Sequence, residues 1–221
     1  MTVHLYLTLV PEAMIASMLP PEEFGTYFSV GITKKQHGQT SFVELDPDFQ
    51  QNGHLYVMYT YSEGGTLLNR ISRLTVQGNL ASEETTLLEG IPGGRNHDGG
   101  RLFIGPDGKL YAGTGEGGQR NLSQDLDSLA GKVLRMNLDG SIPEDNPFPN
   151  SYIYTYGHRN PQGIDRHPGN GQIYLSEHGP SGEMGLCCRD EINRLVPGGN
   201  YGWPIVTGIQ GDERFINPLL F

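Results

Sequence analysis

Two short strand patterns recur along this 221-residue chain at one shared spacing, and that periodicity constrains the fold more than any other feature. The first pattern is a turn followed by a strand with a central tyrosine: PDFQQNGHLYVMYT around Tyr56, PDGKLYAGTG around Tyr111 and PGNGQIYLSE around Tyr174. The second is a short strand in which an arginine sits among apolar residues: ISRLTV at Arg73, VLRMNL at Arg135 and INRLVP at Arg194. Successive steps are 55 and 63 residues in the first series, and 62 and 59 in the second. Two independent patterns with one period indicate repetition of a structural unit.

Each unit alternates apolar and polar residues with period two and separates its strands by turn residues, the signature of a small antiparallel sheet. Helical signals are weak, and only LSQDLDSLAG could hold one or two turns. The 32 glycines and 15 prolines fit an all-β protein with many tight turns. Small sheets repeated radially make a β-propeller, which closes with about four to eight blades. Three full units and their flanks therefore predict an incomplete propeller of about three to four blades over 36–221. Residues 1–35, with Pro20-Pro21 and Glu22-Glu23, stand apart as a leader or poorly matched segment.

A net charge of −10 argues against a nucleic-acid partner, because counterion release needs a basic surface. No run of 18 apolar residues predicts a membrane span. The opening MTVHLYLTLVPEAMIASMLP lacks a basic start and is broken by Pro11 and Glu12, so it makes a poor signal peptide. The only cysteines are the neighbours Cys187 and Cys188. A bond between neighbours is strained, which excludes a disulfide framework and leaves two ordinary loop thiols as the expectation. A redox or metal role for the pair is the alternative.

The reactive groups gather between Asn96 and Pro204, beside glycines and prolines at predicted strand ends, where a β scaffold builds sites. Gly113-Thr114-Gly115-Glu116-Gly117-Gly118 matches G-x-G-x-x-G, but a dinucleotide site needs a βαβ unit, so a blade-edge turn is expected. His97, ahead of Gly99-Gly100, reads either as a solvated loop histidine or as a general base. In His158-Arg159-Asn160-Pro161 the arginine fork is held by a rigid turn and suits a carboxylate or an oxyanion; stacking on a neighbouring blade is the alternative. Glu177-His178-Gly179-Pro180 and Asp190-Glu191 bracket a glycine-rich loop whose carbonyls and carboxylates suit calcium. A zinc triad of His97, His158 and His178 lacks the local pairing of common zinc motifs.

Taken in order, HDGGRLFIGPDGKLY, GKVLRMNLDGSIPEDNPF, GHRNPQG, EHGP, DEIN and GGNYGWP closely resemble the soluble PQQ-dependent sugar dehydrogenases, the glucose/sorbosone dehydrogenase family. The likeness covers roughly residues 39 to 208. It implies a six-bladed β-propeller and oxidation of the anomeric C1 hydroxyl of an aldose to the lactone, with PQQ and Ca2+ as cofactors and an external electron acceptor. It further implies that His97 is the catalytic base and that Arg159 and Asn160 contact the quinone. The carbonyls of Gly179 and Pro180 would hold the calcium under the cofactor, and Glu191 with the Tyr201 carbonyl a further calcium. Relatives mostly work outside the cytoplasm, which implies a periplasmic or secreted setting.

Three departures stand out. Asn96 occupies a position where relatives often carry an acid, and a cofactor-contacting glutamine would fall near Gln36-His37, where the match has decayed. The family's later blades, which supply further cations around the PQQ carboxylates, are expected to be missing from this sequence. Two rivals follow. A non-catalytic propeller would bind a protein or glycan, and a calcium-dependent lactonase would need several carboxylates and an asparagine converging on the metal.

Overall fold

The computed structural model describes residues 5–9, 28–32, 40–77, 80–182, 185–209 and 211–221. Gln36-His37 lies outside the described residues. Among the described residues thirteen strands carry the fold: β1 (Leu5–Leu9), β2 (Phe28–Ile32), β3 (Thr40–Leu45), β4 (His54–Glu63), β5 (Thr66–Gln77), β6 (Leu80–Pro92), β7 (Gly99–Ile104), β8 (Leu110–Thr114), β9 (Lys132–Met136), β10 (Ile153–Tyr156), β11 (Pro161–Arg166), β12 (Ile173–Glu177) and β13 (Glu191–Arg194). The described helix is one turn, α1 (Phe49–Asn52), and a 3-10 turn at Arg120–Ser123. That turn overlaps only the start of the segment predicted to be helical; the rest is turns.

The strands form three antiparallel sheets, ordered β2-β1-β6-β5-β4-β3, β10-β9-β8-β7 and β11-β12-β13. From β3 to β6, β7 to β10 and β11 to β13 consecutive strands pair antiparallel, as in a meander, whether short turns or longer loops join them. The edge strand β7 of the second sheet packs against both β3 and β11, edge strands of the neighbouring sheets. Gathering one edge strand of each sheet around a common hub is the arrangement of propeller blades.

The repeat patterns have a single structural origin. Tyr56 faces Arg73, Tyr111 faces Arg135 and Tyr174 faces Arg194, each as direct cross-strand partners in the middle of a sheet. Such pairs are the unit of sheet stabilisation. In the first two sheets a turn aspartate completes them. The Tyr56 hydroxyl donates to Asp46 at 2.7 Å, and the Tyr111 hydroxyl donates to Asp107 at 2.9 Å. Arg135 donates to Asp107 and reaches on to Asp145 and Asn146, which pins the NLDGSIPEDNPF connection beneath β9.

Period-two burial decides how the sheets stack. Leu110 and Ala112 of β8 pack with Leu134, Met136, Tyr56, Met58 and Ile71 between the first two sheets. Tyr111, from the opposite face of β8, packs with Val133, Ile164, Leu175, Leu195 and Tyr201 between the second and third. The second sheet is thus buried on both faces, which is why β8 and β9 are buried along their whole length. Fully burying each large aliphatic side chain contributes about 1.5–3 kcal/mol.

Candidate active site

Antiparallel alternation brings one end of the second and third sheets together: the starts of β7, β11 and β13 and the ends of β8 and β12. His97, Glu116, Arg159, the Gly179-Pro180 turn and Glu191 all lie at that end. The hub and the register bring together groups that are far apart in sequence.

His97 sits two residues before β7 with a left-handed backbone, φ 59°. Its carbonyl accepts the Gly117 N–H at 2.8 Å, so the turns after β8 and before β7 are locked together. A Cβ on residue 115 would stand 1.8 Å from that carbonyl, so glycine is required where the chain leaves β8. The next residue, Glu116, is 3 % exposed and aims both carboxylate oxygens inward. One pairs with His97 Nδ1 at 2.8 Å, and the other accepts the Trp203 indole N–H at 2.7 Å.

Arg159 completes the line. It is 2 % exposed, donates to the His178 carbonyl at 3.0 Å, and places its other terminal nitrogen 2.9 Å from His97 Nε2. A guanidinium can only donate, so His97 Nε2 must accept. Nδ1 therefore carries the proton and donates to Glu116. The guanidinium also lies 5.6 Å from the centre of the Trp203 ring, within cation–π range. The same indole thus touches both ends of the Glu116–His97–Arg159 line.

Asn160 uses its side-chain oxygen to accept the Gly99 N–H at 3.1 Å and the Gln162 amide at 3.0 Å, tying the starts of β7 and β11 together. His158 faces away from the line. It is wholly buried between Thr155, 2.8 Å from Nε2, and Glu177, 3.0 Å from Nδ1, and it stacks on Tyr201 at 4.5 Å. His178 is exposed. The three histidines do not converge, and no cluster of three or more metal-ligating side chains occurs among the described residues. A zinc triad is therefore ruled out by direction as well as by spacing.

Two places suit a hard cation. The Gly179-Pro180 turn is buried and offers backbone carbonyls, the ligand class that calcium takes. Beneath it, Glu191 is buried beside Glu177, and burial and then that second carboxylate push it up to about 7. The Asn193 side-chain oxygen is wholly buried next to Glu191 and has no hydrogen-bond donor among the described residues. Buried carboxylates with an orphaned amide oxygen form a site short of positive charge, a donor set of the hard-oxygen kind that calcium takes. A cavity of about 490 Å³ opens next to the Glu116 turn, lined by Gly118, Gln119, Arg120, Asn121, Leu122 and Pro204.

Sequence reasoning missed Glu116 and Trp203. Glu116 lay inside the G-x-G-x-x-G match, read only as a blade-edge turn. That reading is right about the turn, since no helix follows β8 beyond the 3-10 turn. The available signal was a lone carboxylate among glycines just after the strand LYAGT. The two cysteines are also corrected: they are not free thiols but are joined to each other in a disulfide. A left-handed backbone at Cys188, φ 64°, turns the neighbours toward one another on an exposed loop.

The chain is thus a propeller-type sheet array with a carboxylate-backed histidine and a buried arginine at one end. The Glucose / Sorbosone dehydrogenase family model matches residues 28–218, and the chain belongs to that family. It is 37% identical over 210 residues to quinoprotein glucose dehydrogenase B of Acinetobacter calcoaceticus, covering 81% of this chain and 42% of that protein. It is 37% identical over 184 residues to aldose sugar dehydrogenase YliI of Escherichia coli, covering 77% of this chain and 48% of that one. The PQQ-bound aldose sugar dehydrogenase of Streptomyces coelicolor superposes with a TM-score of 0.74 at 36% identity, over 87% of this chain and 57% of that structure. The chain therefore spans about half the length of the curated relatives it matches.

Proposed function

We propose that this chain carries the proton-transfer machinery and part of the cofactor cradle of a PQQ-dependent aldose dehydrogenase that oxidises the anomeric C1 hydroxyl to the lactone. The observation that carries the reading is the Glu116–His97–Arg159 line, a base whose tautomer is set on one side and whose lone pair is held by a cation on the other. Glu116 fixes the Nδ1 proton and stabilises the imidazolium that forms when His97 Nε2 takes the anomeric proton. A positioned base of this kind contributes about 10²–10⁴-fold.

Arg159 has the second role. The His178 carbonyl and the His97 ring are neutral acceptors, and an anionic cofactor oxygen is a stronger partner for a guanidinium than either. With its guanidinium held by that oxygen, Arg159 would leave Nε2 open to the sugar hydroxyl and would stabilise negative charge on its partner. Asn160 would add its amide nitrogen to the same cradle. Gly179 and Pro180 would hold calcium through their carbonyls, and Glu191 with the Tyr201 carbonyl would hold another. When bound, PQQ supplies the two-electron acceptor that alcohol oxidation requires, and calcium the Lewis acid that polarises it. The aldose would occupy the cavity along Gln119–Leu122, the segment that follows Glu116 in the chain. An external acceptor must then reoxidise the cofactor.

Operation outside the cytoplasm belongs to the same proposal, and the Cys187–Cys188 disulfide supports it, since such bonds persist in oxidising compartments. An adhesive propeller has no use for a buried carboxylate aimed at a histidine, which weighs against the non-catalytic reading. The test is a titration of the chain with PQQ, in calcium and in excess chelator, followed by an aldose. Calcium-dependent stoichiometric binding and spectral reduction of the quinone are expected. Uptake of PQQ without reduction by any aldose would overturn the catalytic reading.

A further inference from the structure

Cys187 and Cys188 take no part in the proposed proton transfer, yet they stand directly behind the turn assigned to calcium. Both are exposed. Ser181 and Gly182 pair with the residues just before and at the cysteines: Gly182 donates to the Leu186 carbonyl at 2.8 Å, and Ser181 bridges Cys187 in antiparallel register. Cys188 is held in the left-handed region, which a residue with a Cβ adopts only at a cost. That backbone turns its N–H onto the Pro180 carbonyl at 2.8 Å.

The two residues after the pair finish the brace. The Arg189 carbonyl lies 1.8 Å from where a Cβ on residue 179 would stand, so the loop is packed hard against Gly179. Asp190 accepts the Gly179 N–H at 2.9 Å. The guanidinium of Arg189 anchors the loop to Thr207 through the carbonyl and the hydroxyl, both at 3.1 Å. On its other side the turn is held by Arg159 through the His178 carbonyl. Gly179-Pro180 is thus clamped between the arginine that touches the base and a hairpin closed by the cysteine pair.

We infer that the Cys187–Cys188 disulfide is a redox-modification site, at which a dithiol reductant releases the brace behind Gly179-Pro180 and weakens the hold of that turn on calcium. The calcium part rests on the assignment made under Proposed function. In the exchange, a thiolate of the reductant attacks one cysteine Sγ, the S–S bond breaks, and the other cysteine leaves as a thiolate. The second reductant thiol then displaces the first cysteine from the mixed disulfide. Two electrons pass from the dithiol, which becomes a disulfide, and the two protein sulfurs end as thiols. With the small ring opened, Cys188 can leave the left-handed region, and its N–H leaves the Pro180 carbonyl.

The experiment compares the oxidised chain, the chain reduced with dithiothreitol, and the Cys187→Ser/Cys188→Ser variant. Each is followed by amide hydrogen exchange and by calcium titration calorimetry, with thiol titration to establish the redox state. Reduction should release two thiols and speed exchange at Gly179 and Cys188 by at least about tenfold, leaving β8 and β9 unchanged. Calcium affinity should fall by about 10- to 100-fold, the usual effect of losing an outer-shell support. The double-serine variant should match the reduced chain and ignore the reductant. Release of two thiols with unchanged exchange at these amides would overturn the inference. An oxidised chain that takes up no calcium would overturn its calcium part together with the assignment of Gly179 and Pro180, while exchange still decides the brace.

Discussion

At the residue scale, His97 and Glu116 make separable contributions. His97→Ala removes the base itself, and turnover per bound cofactor should fall by about 10²–10⁴-fold with PQQ affinity kept. Glu116→Gln keeps the shape but loses the charge behind the imidazole. A hydrogen bond to a charged group is worth about 1.5–3 kcal/mol, so kcat should fall by about 10- to 100-fold. Steady-state kinetics alongside a PQQ titration checks both, and loss of affinity with unchanged turnover would refute the base. Glu191 sets a pH dependence. Burial and Glu177 raise it from the usual 4.5 to about 7, so between those values the folded chain keeps a proton that the unfolded chain has lost. Stability should therefore fall as pH rises through that window in chelator. Calcium should reverse the loss above it, which urea denaturation at both ends of the window would reveal.

The elements act mainly by holding the loops at one end of the sheets. The Gly115→Ala change tests this, because its Cβ must displace the His97 carbonyl that now lies 1.8 Å away. Crowding of this kind costs about 1–3 kcal/mol, so the variant should still fold but lose most activity. Thermal unfolding and kcat measured on one sample separate the two effects. The strands themselves were legible because tyrosine and arginine recur at fixed intervals, and those intervals are the cross-strand pairs Tyr56–Arg73, Tyr111–Arg135 and Tyr174–Arg194. The short helical turns were less legible. Arg120–Ser123 forms because its backbone closes the loop between β8 and β9, not because its residues favour a helix.

Across the whole molecule, the second sheet is the keystone, buried by the first sheet on one face and by the third on the other. Ile164 lies in the second of these seams, 1 % exposed. Ile164→Ala should destabilise the fold by about 2–5 kcal/mol. Because Tyr111 and Val133 share that seam, exchange should accelerate in β8 and β9 as well as in β11 and β12. Faster exchange in β11 and β12 alone would mean that the sheets behave as separate units.

The sequence by itself determined the all-β class, the blade period and the candidates His97, Arg159, Gly179-Pro180 and Glu191. Each sits on a local signal, a strand alternation or a reactive group beside glycine or proline, that short-range chemistry makes readable. Only the tertiary structure decided which of these groups meet. His97, Glu116, Arg159 and Trp203 come from separate turns and converge because antiparallel strands return every second turn to one end of the sheets. The same convergence turned His158 inward, onto Glu177 and Tyr201, although it adjoins Arg159 in sequence. Neighbouring residues at a strand end point to opposite sides, so adjacency along the chain says little about adjacency in a site. The direction of a side chain is a property of register and packing, and those exist only once the sheets have stacked.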